Sequence, residues 1–157
     1  MRAPPALRVA LLAAGCLTAS CAGSGGDGGA PAQPACKPPP PGERISFSGN
    51  IQPIFDRSCA LSGCHVPGSL GGNLDLSPGK SYQQLVNRDS FQQPRKKRVE
   101  PGNPNVSYLV MKVEGTPGIS GLQMPQGCPA PPPGGSCPAP DDISAIRTWI
   151  EQCATNN

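Results

Sequence analysis

Glycine and proline set the limits on what this chain can fold into. The sequence holds 20 glycines and 22 prolines in 157 residues, and they are unevenly placed. Twelve of the 21 residues from Ala22 to Gly42 are one or the other, as are ten of the 16 from Pro125 to Pro140. Neither run has the apolar periodicity that a helix or strand needs. Folding is therefore concentrated between and after them, in a region of roughly 110 residues, enough for one modest domain.

Within that region the pattern is helical. Ser48 to Arg57 places Ile51, Ile54 and Phe55 on one face, with Ser48 as the cap and Pro53 early enough to be tolerated. Lys80 to Asn87 carries Tyr82, Leu85 and Val86, and Pro104 to Val113 carries Val106, Leu109, Val110 and Val113. Asp141 or Asp142 caps a last helix with a stripe of Ile143, Ile146, Trp149, Ile150 and Cys153 at spacings of three and four. Gly63 to Gly79 and Gly115 to Pro140 read as loop, and no alternating strand pattern or internal repeat is visible. The expected fold class is all-α: a small domain of about four short helices joined by long loops. Aromatic side chains are few, namely Phe47, Phe55, Phe91, Tyr82, Tyr108 and Trp149. Long loops are expected of a domain wrapped around a large ligand, and a small aromatic complement is compatible with a buried prosthetic group supplying apolar bulk, which Leu, Ile and Val could also supply.

The N-terminal end reads as an export signal. Arg2 and Arg8 form a positive n-region and Val9 to Gly15 a short apolar stretch, too short to span a bilayer as a mature helix. Leu17-Thr18-Ala19-Ser20-Cys21 resembles a bacterial lipobox, which marks Cys21 for lipidation; Cys16 is a second candidate. The expected layout is a signal peptide over 1–20, a disordered Gly/Pro-rich tether over 21–43 and a folded domain over 44–157. Ala22 to Pro41, extended at roughly 3 Å per residue, reaches up to about 60 Å from the membrane. The residue after Cys21 is Ala22, which points by resemblance to lipoprotein sorting patterns to the outer membrane, facing the periplasm. Without Arg2 and Arg8 the mature chain has 11 basic and 10 acidic residues, close to neutral. Its one concentrated charge, Arg95-Lys96-Lys97-Arg98, reads as a solvated loop and gives no support for nucleic-acid binding.

The chemistry centres on Cys59-Ala60-Leu61-Ser62-Gly63-Cys64-His65. Covalent haem attachment uses two cysteine thiols, with a histidine directly after the second reaching the iron. The usual spacer is two residues; here it is four, and Gly63 eases the extra bend. His65 is the sole histidine, so a sixth iron ligand from the same chain would be a methionine or something weaker. Met111 sits inside a predicted helix and reads as core filler, whereas Met124, followed by Pro125, is presented from an irregular loop. Three other uses of the segment compete: a Cys59–Cys64 disulfide with His65 a bystander, a zinc site drawing on a further cysteine, and a redox-active dithiol.

Taken in order, these residues resemble a monohaem class I cytochrome c, and more specifically the small cytochrome c-like domains of bacterial lipoproteins. The likeness is carried by Asn50-Ile51-Gln52-Pro53-Ile54-Phe55 before the cysteines, then Leu74 to Ser77, Tyr82 to Val86, Val99 to Pro104 and Ser107-Tyr108-Leu109. Met124-Pro125 and Ile146 to Ile150 complete it, over roughly Ile45 to Ala154. The resemblance implies that the first and last helices pack together with Trp149 near the cofactor. It implies one haem c, bound through Cys59 and Cys64 with His65 and Met124 as axial ligands to its iron. The four-residue spacer and the insert between Gln126 and Pro140 depart from the pattern.

Four cysteines remain outside the leader and the haem segment: Cys36, Cys128, Cys137 and Cys153. They allow three connectivities, of which Cys128–Cys137 with Cys36–Cys153 is preferred. No paired carboxylates, nucleophile–base pair or phosphate loop is visible, which points away from independent catalysis. The main expectation is therefore an exported electron carrier that serves redox partner proteins, either freely or as a subunit feeding an oxidoreductase, and meets the membrane through its N-terminal lipid. The alternative is a haem-free, disulfide-stapled lipoprotein acting as a binding or structural module.

Overall fold

In the computed structural model, residues 36–69, 71, 73–130 and 134–157 are described. The chain divides into two units, Met1–Gln33 and Pro34–Asn157, and every described residue lies in the second. The expected signal peptide, Cys21 and the tether up to Ala35 lie outside the described residues.

Among the described residues four α-helices carry the fold: α1 (Gln52–Ser58), α2 (Ser81–Leu85), α3 (Tyr108–Glu114) and α4 (Pro140–Glu151). A π-helical turn, Phe47–Ile51, leads into α1, and a 3-10 turn spans Pro41–Glu43. Among the described residues there is no strand, only isolated bridges between Val86 and Val99 and between Asp89 and Lys97. The all-α expectation holds at that level.

Local chemistry explains where each helix starts and stops. Ser46, two residues before the expected cap, accepts the Gly49 N–H at 3.0 Å. Ser48 instead donates its hydroxyl to the Asn157 carbonyl at 2.9 Å. Helix α2 ends at Leu85 because the chain turns extended at Val86 and pairs, with Asn87 N–H donating to Val99 O at 2.9 Å. Helix α3 begins at Tyr108, since Pro104 to Ser107 form a turn closed by Ser107 N–H on Pro104 O. In α4, Pro140 occupies the first turn and Asp142 accepts the Ala139 N–H at 2.9 Å, so Asp142 acts from inside the helix and not as its cap.

The interior is built from the turn before α1 and the buried face of α4. Ile146, Trp149 and Ile150 are fully buried there, with Phe47, Ile51, Ile54 and Phe55 opposite. Phe47 stands 5.2 Å from Trp149, 5.2 Å from Tyr82 and 6.3 Å from Phe55 between ring centroids. Such tilted and edge-on pairs contribute on the order of 0.5–1.5 kcal/mol each beyond area burial. Four of the six aromatic side chains thus make one cluster, and they supply the bulk that the sequence assigns to a prosthetic group.

The C-terminal residues lock this core. The Trp149 indole N–H donates to Thr155 O at 3.0 Å, and the Tyr82 hydroxyl to Ala154 O at 3.0 Å. Phe47 N–H donates to the Asn157 side chain at 3.0 Å. The basic run is less uniform than a solvated loop: Arg95 is exposed, but Lys97 pairs with Asp89 and Arg98 Nη1 donates to Gln84 O at 2.9 Å.

Candidate functional site: the Cys59–His65 turn and the Met124 loop

Helix α1 delivers Cys59. Its N–H donates to Phe55 O at 2.8 Å as the helix closes, leaving the residue 8% exposed as a member of the apolar core that includes Phe55 and Trp149. The chain then folds back. Cys64 N–H donates to Leu61 O at 2.9 Å, and His65 N–H donates to Cys59 O at 3.1 Å. That second bond closes a seven-residue loop and brings Cys64 next to Cys59. Both thiols are free, Cys59 buried and Cys64 half-buried. Burial, reinforced by the neighbouring Cys64, pushes the Cys59 thiol up to about 12, with Arg57 opposing.

His65 is fixed from the opposite side. Its Nδ1 lies 3.3 Å from Leu74 O, and Leu76 N–H donates to His65 O at 2.9 Å. The Gly71 backbone lies so close that an added Cβ would stand 2.6 Å from His65 Nδ1. Burial lowers the imidazole pKa; the Leu74 and Gly71 carbonyls oppose this, while Lys112 and Arg98 add repulsion. The Cys64 carbonyl accepts from the Ser69 hydroxyl, which also donates to Val66 O at 2.6 Å.

Met124 belongs to a loop braced on α3. Its N–H donates to Lys112 O at 2.8 Å, and Gln123 Nε2 donates to Val113 O at 2.8 Å. Lys112 is 7% exposed and donates its ammonium to the carbonyls of Ser120, at 3.0 Å, and Leu122. The Tyr108 hydroxyl accepts the Ser120 N–H at 2.9 Å. Met124 and Met111 are each half-buried.

Sequence reasoning missed three buried polar residues. Gln52 Nε2 reaches both Asp56, at 2.8 Å, and Leu76 O, at 2.9 Å, while its oxygen accepts from Ser81. Ser107 Oγ accepts the Glu100 N–H at 2.9 Å and donates to Asn103 O at 2.9 Å. Lys112 is the third, and its position on an otherwise apolar helix face is the one signal that could have found it.

Both preferred disulfides are present. Cys36–Cys153 has Cα atoms 5.5 Å apart and Cys128–Cys137 5.7 Å. Cys36–Cys153 fastens the entry of the unit to the residue just beyond α4, and Cys128–Cys137 closes the Pro-rich loop. That loop lies over the Cys59 turn, for Ser136 N–H donates to Arg57 O at 2.9 Å and Gly135 sits against Leu61.

Comparisons with protein-family models, with curated proteins and with solved structures give no match. The function therefore rests on the geometry.

That geometry corrects the main expectation. Among the described residues no group of three or more His, Cys, Asp and Glu side chains gathers where a metal ion could be held. Cys59, Cys64 and His65 share one turn, and no such group includes them. Phe47, Tyr82 and Trp149 are in mutual contact in the core shared by the turn before α1 and α4, and Phe55 packs against Phe47. The reading as an electron carrier through a covalently attached haem with His/Met ligation is corrected by this finding, and the two disulfides favour the disulfide-stapled alternative. The same finding leaves the zinc alternative without a ligand set.

Proposed function

We propose that this chain is a haem-free, disulfide-stapled module of the bacterial cell envelope, with a binding or structural role and no catalysis of its own. It keeps the helical shell of a cytochrome c-like domain and fills the cofactor's place with its own aromatic side chains. The export signal, lipidation at Cys21 and outer-membrane placement belong to this proposal and rest on the sequence pattern at residues 1–21.

The observation that carries the reading is the pair of staples around a filled core. A disulfide that closes a long loop removes much of the freedom of the unfolded chain. Cys36–Cys153 spans 117 residues and therefore encloses almost the whole domain. Stapling of that kind suits exported domains whose cores are small.

Intact-mass measurement and thiol mapping of the chain, exported from a host that matures c-type cytochromes, test the proposal. The expected protein is colourless, carries Cys36–Cys153 and Cys128–Cys137, and has no covalent group on Cys59 or Cys64. A tetrapyrrole adduct bridging those two thiols would defeat it.

A further inference from the structure

We propose that Cys64 is a thiol–disulfide exchange site, where a small-molecule disulfide enters and is displaced by Cys59 to leave a third intrachain disulfide. The inference rests on the haem-free reading above and assigns a reaction to the two thiols that reading leaves unused.

The geometry supplies both partners and their order. Four cysteines are already paired, while Cys59 and Cys64 are free. The bond from His65 N–H to Cys59 O, at 3.1 Å, holds the two residues at the neck of one closed loop. The loop is set between close backbone approaches. On one side a Cβ added at Gly71 would collide with the Cys64 carbonyl; on the other a Cβ added at Gly135 would lie 3.1 Å from Arg57 O and collide with Leu61. A preset neck makes the second thiol a local reactant and lowers the entropy cost of closure.

Exposure sets the order. Cys59, at 8% exposure, is closed to a bulky disulfide, whereas Cys64 is half-buried and open to one. In the first step the Cys64 thiolate attacks one sulfur of the incoming disulfide. A Cys64–S–S–R bond forms, the incoming S–S bond breaks, and one thiol leaves. In the second step the Cys59 sulfur attacks Cys64 Sγ and its proton passes to the departing thiolate. The Cys59–Cys64 bond forms, the bond to R breaks, and the second thiol leaves. Two protein thiols lose two electrons in all, and one disulfide is reduced to two thiols.

The full exported chain is brought to the Cys59–Cys64 dithiol with limiting phosphine, and mapping confirms that the other two disulfides are intact. Oxidised glutathione is then added and samples are acid-quenched for peptide mapping. The expected sequence is a glutathione adduct on Cys64 that decays as the Cys59–Cys64 bond appears. Cys59→Ser, with Cys59→Ala as a second variant of retained near-ultraviolet dichroism, holds the adduct. In Cys64→Ser, labelling of Cys59 is expected to be slower by about tenfold or more, from lost access. Equal labelling of Cys59 in Cys64→Ser overturns the inference, as does a wild-type adduct that persists without the new bond. A tetrapyrrole on both thiols at isolation defeats the haem-free reading itself, whereas bare thiols that fail to exchange defeat this inference alone.

Discussion

Lys112 shows how one buried charge can shape a loop that has no secondary structure. Among the described residues its ammonium has no carboxylate partner; the carbonyls of Ser120 and Leu122 accept from it, and its own carbonyl takes Met124 N–H. Replacing it with methionine keeps the apolar stem and strands two carbonyls. Lys112→Met is expected to lower stability by about 1–3 kcal/mol in urea unfolding, with cleavage by an added protease concentrated between 116 and 124. An unchanged midpoint would show that the loop holds itself. His65 gives a second residue-scale expectation, in pH. Its folded pKa lies below the ordinary imidazole value of 6.5, through burial first and then Lys112 and Arg98. As pH falls below 6.5, the unfolded chain takes up the proton more readily than the folded one. Stability is therefore fully present above that value and declines as pH drops through the window beneath it. His65→Gln should flatten that decline, measured as urea midpoints between pH 7 and pH 5.

At the scale of elements, the helices were legible because their apolar spacing was intact, and their ends were not. The stripe through Ile146, Trp149 and Ile150 gave α4, and these three are buried as a three-and-four spacing requires. The end of α2 depends on Val86 meeting Val99, thirteen residues on, which no local pattern announces. The cap at Ser46 depends on Asn157, which occupies Ser48 from the far end of the chain. The candidate site was legible as a motif and misread as chemistry. The order Cys59, Cys64, His65 says which residues meet in a turn, but not whether the space beside them is filled. Phe47, Tyr82 and Trp149 are far apart in sequence, and their mutual contact is what fills it. Gln52 illustrates what such long-range closure is worth. It ties α1 to Leu76 and to α2 through Ser81. Gln52→Ala leaves the Leu76 carbonyl and the Ser81 hydroxyl unpaired, and is expected to cost about 1–3 kcal/mol in denaturant unfolding. A loss below the error of the measurement would mean that the contact between α1 and α2 is held by Leu85 and its neighbours alone.

At the scale of the whole molecule, the two staples are unequal. Loop-closure entropy grows with the logarithm of the enclosed length, so separations of 117 and 9 residues should not contribute alike. On that account Cys36–Cys153 contributes about 5 kcal/mol and Cys128–Cys137 about 2.5 kcal/mol. Position widens the gap. Cys153 lies two residues beyond α4 and precedes Ala154, whose carbonyl takes the Tyr82 hydroxyl, so releasing it loosens the segment that seals the aromatic cluster. Releasing Cys128–Cys137 frees a surface loop held to the domain by Ser136 N–H on Arg57 O. The double variants Cys36→Ser/Cys153→Ser and Cys128→Ser/Cys137→Ser separate the two. In calorimetry the first should fall further in Tm than the second by roughly 10 °C, at about 4 °C per kcal/mol for a domain of this size. Near-ultraviolet dichroism should follow the same order, since the cluster of Phe47, Tyr82 and Trp149 lies next to the first staple's anchor and not the second's. Equal losses would mean that the unfolded chain is already compact enough to make the long closure cheap, and would move the domain's stability from its staples to its aromatic core.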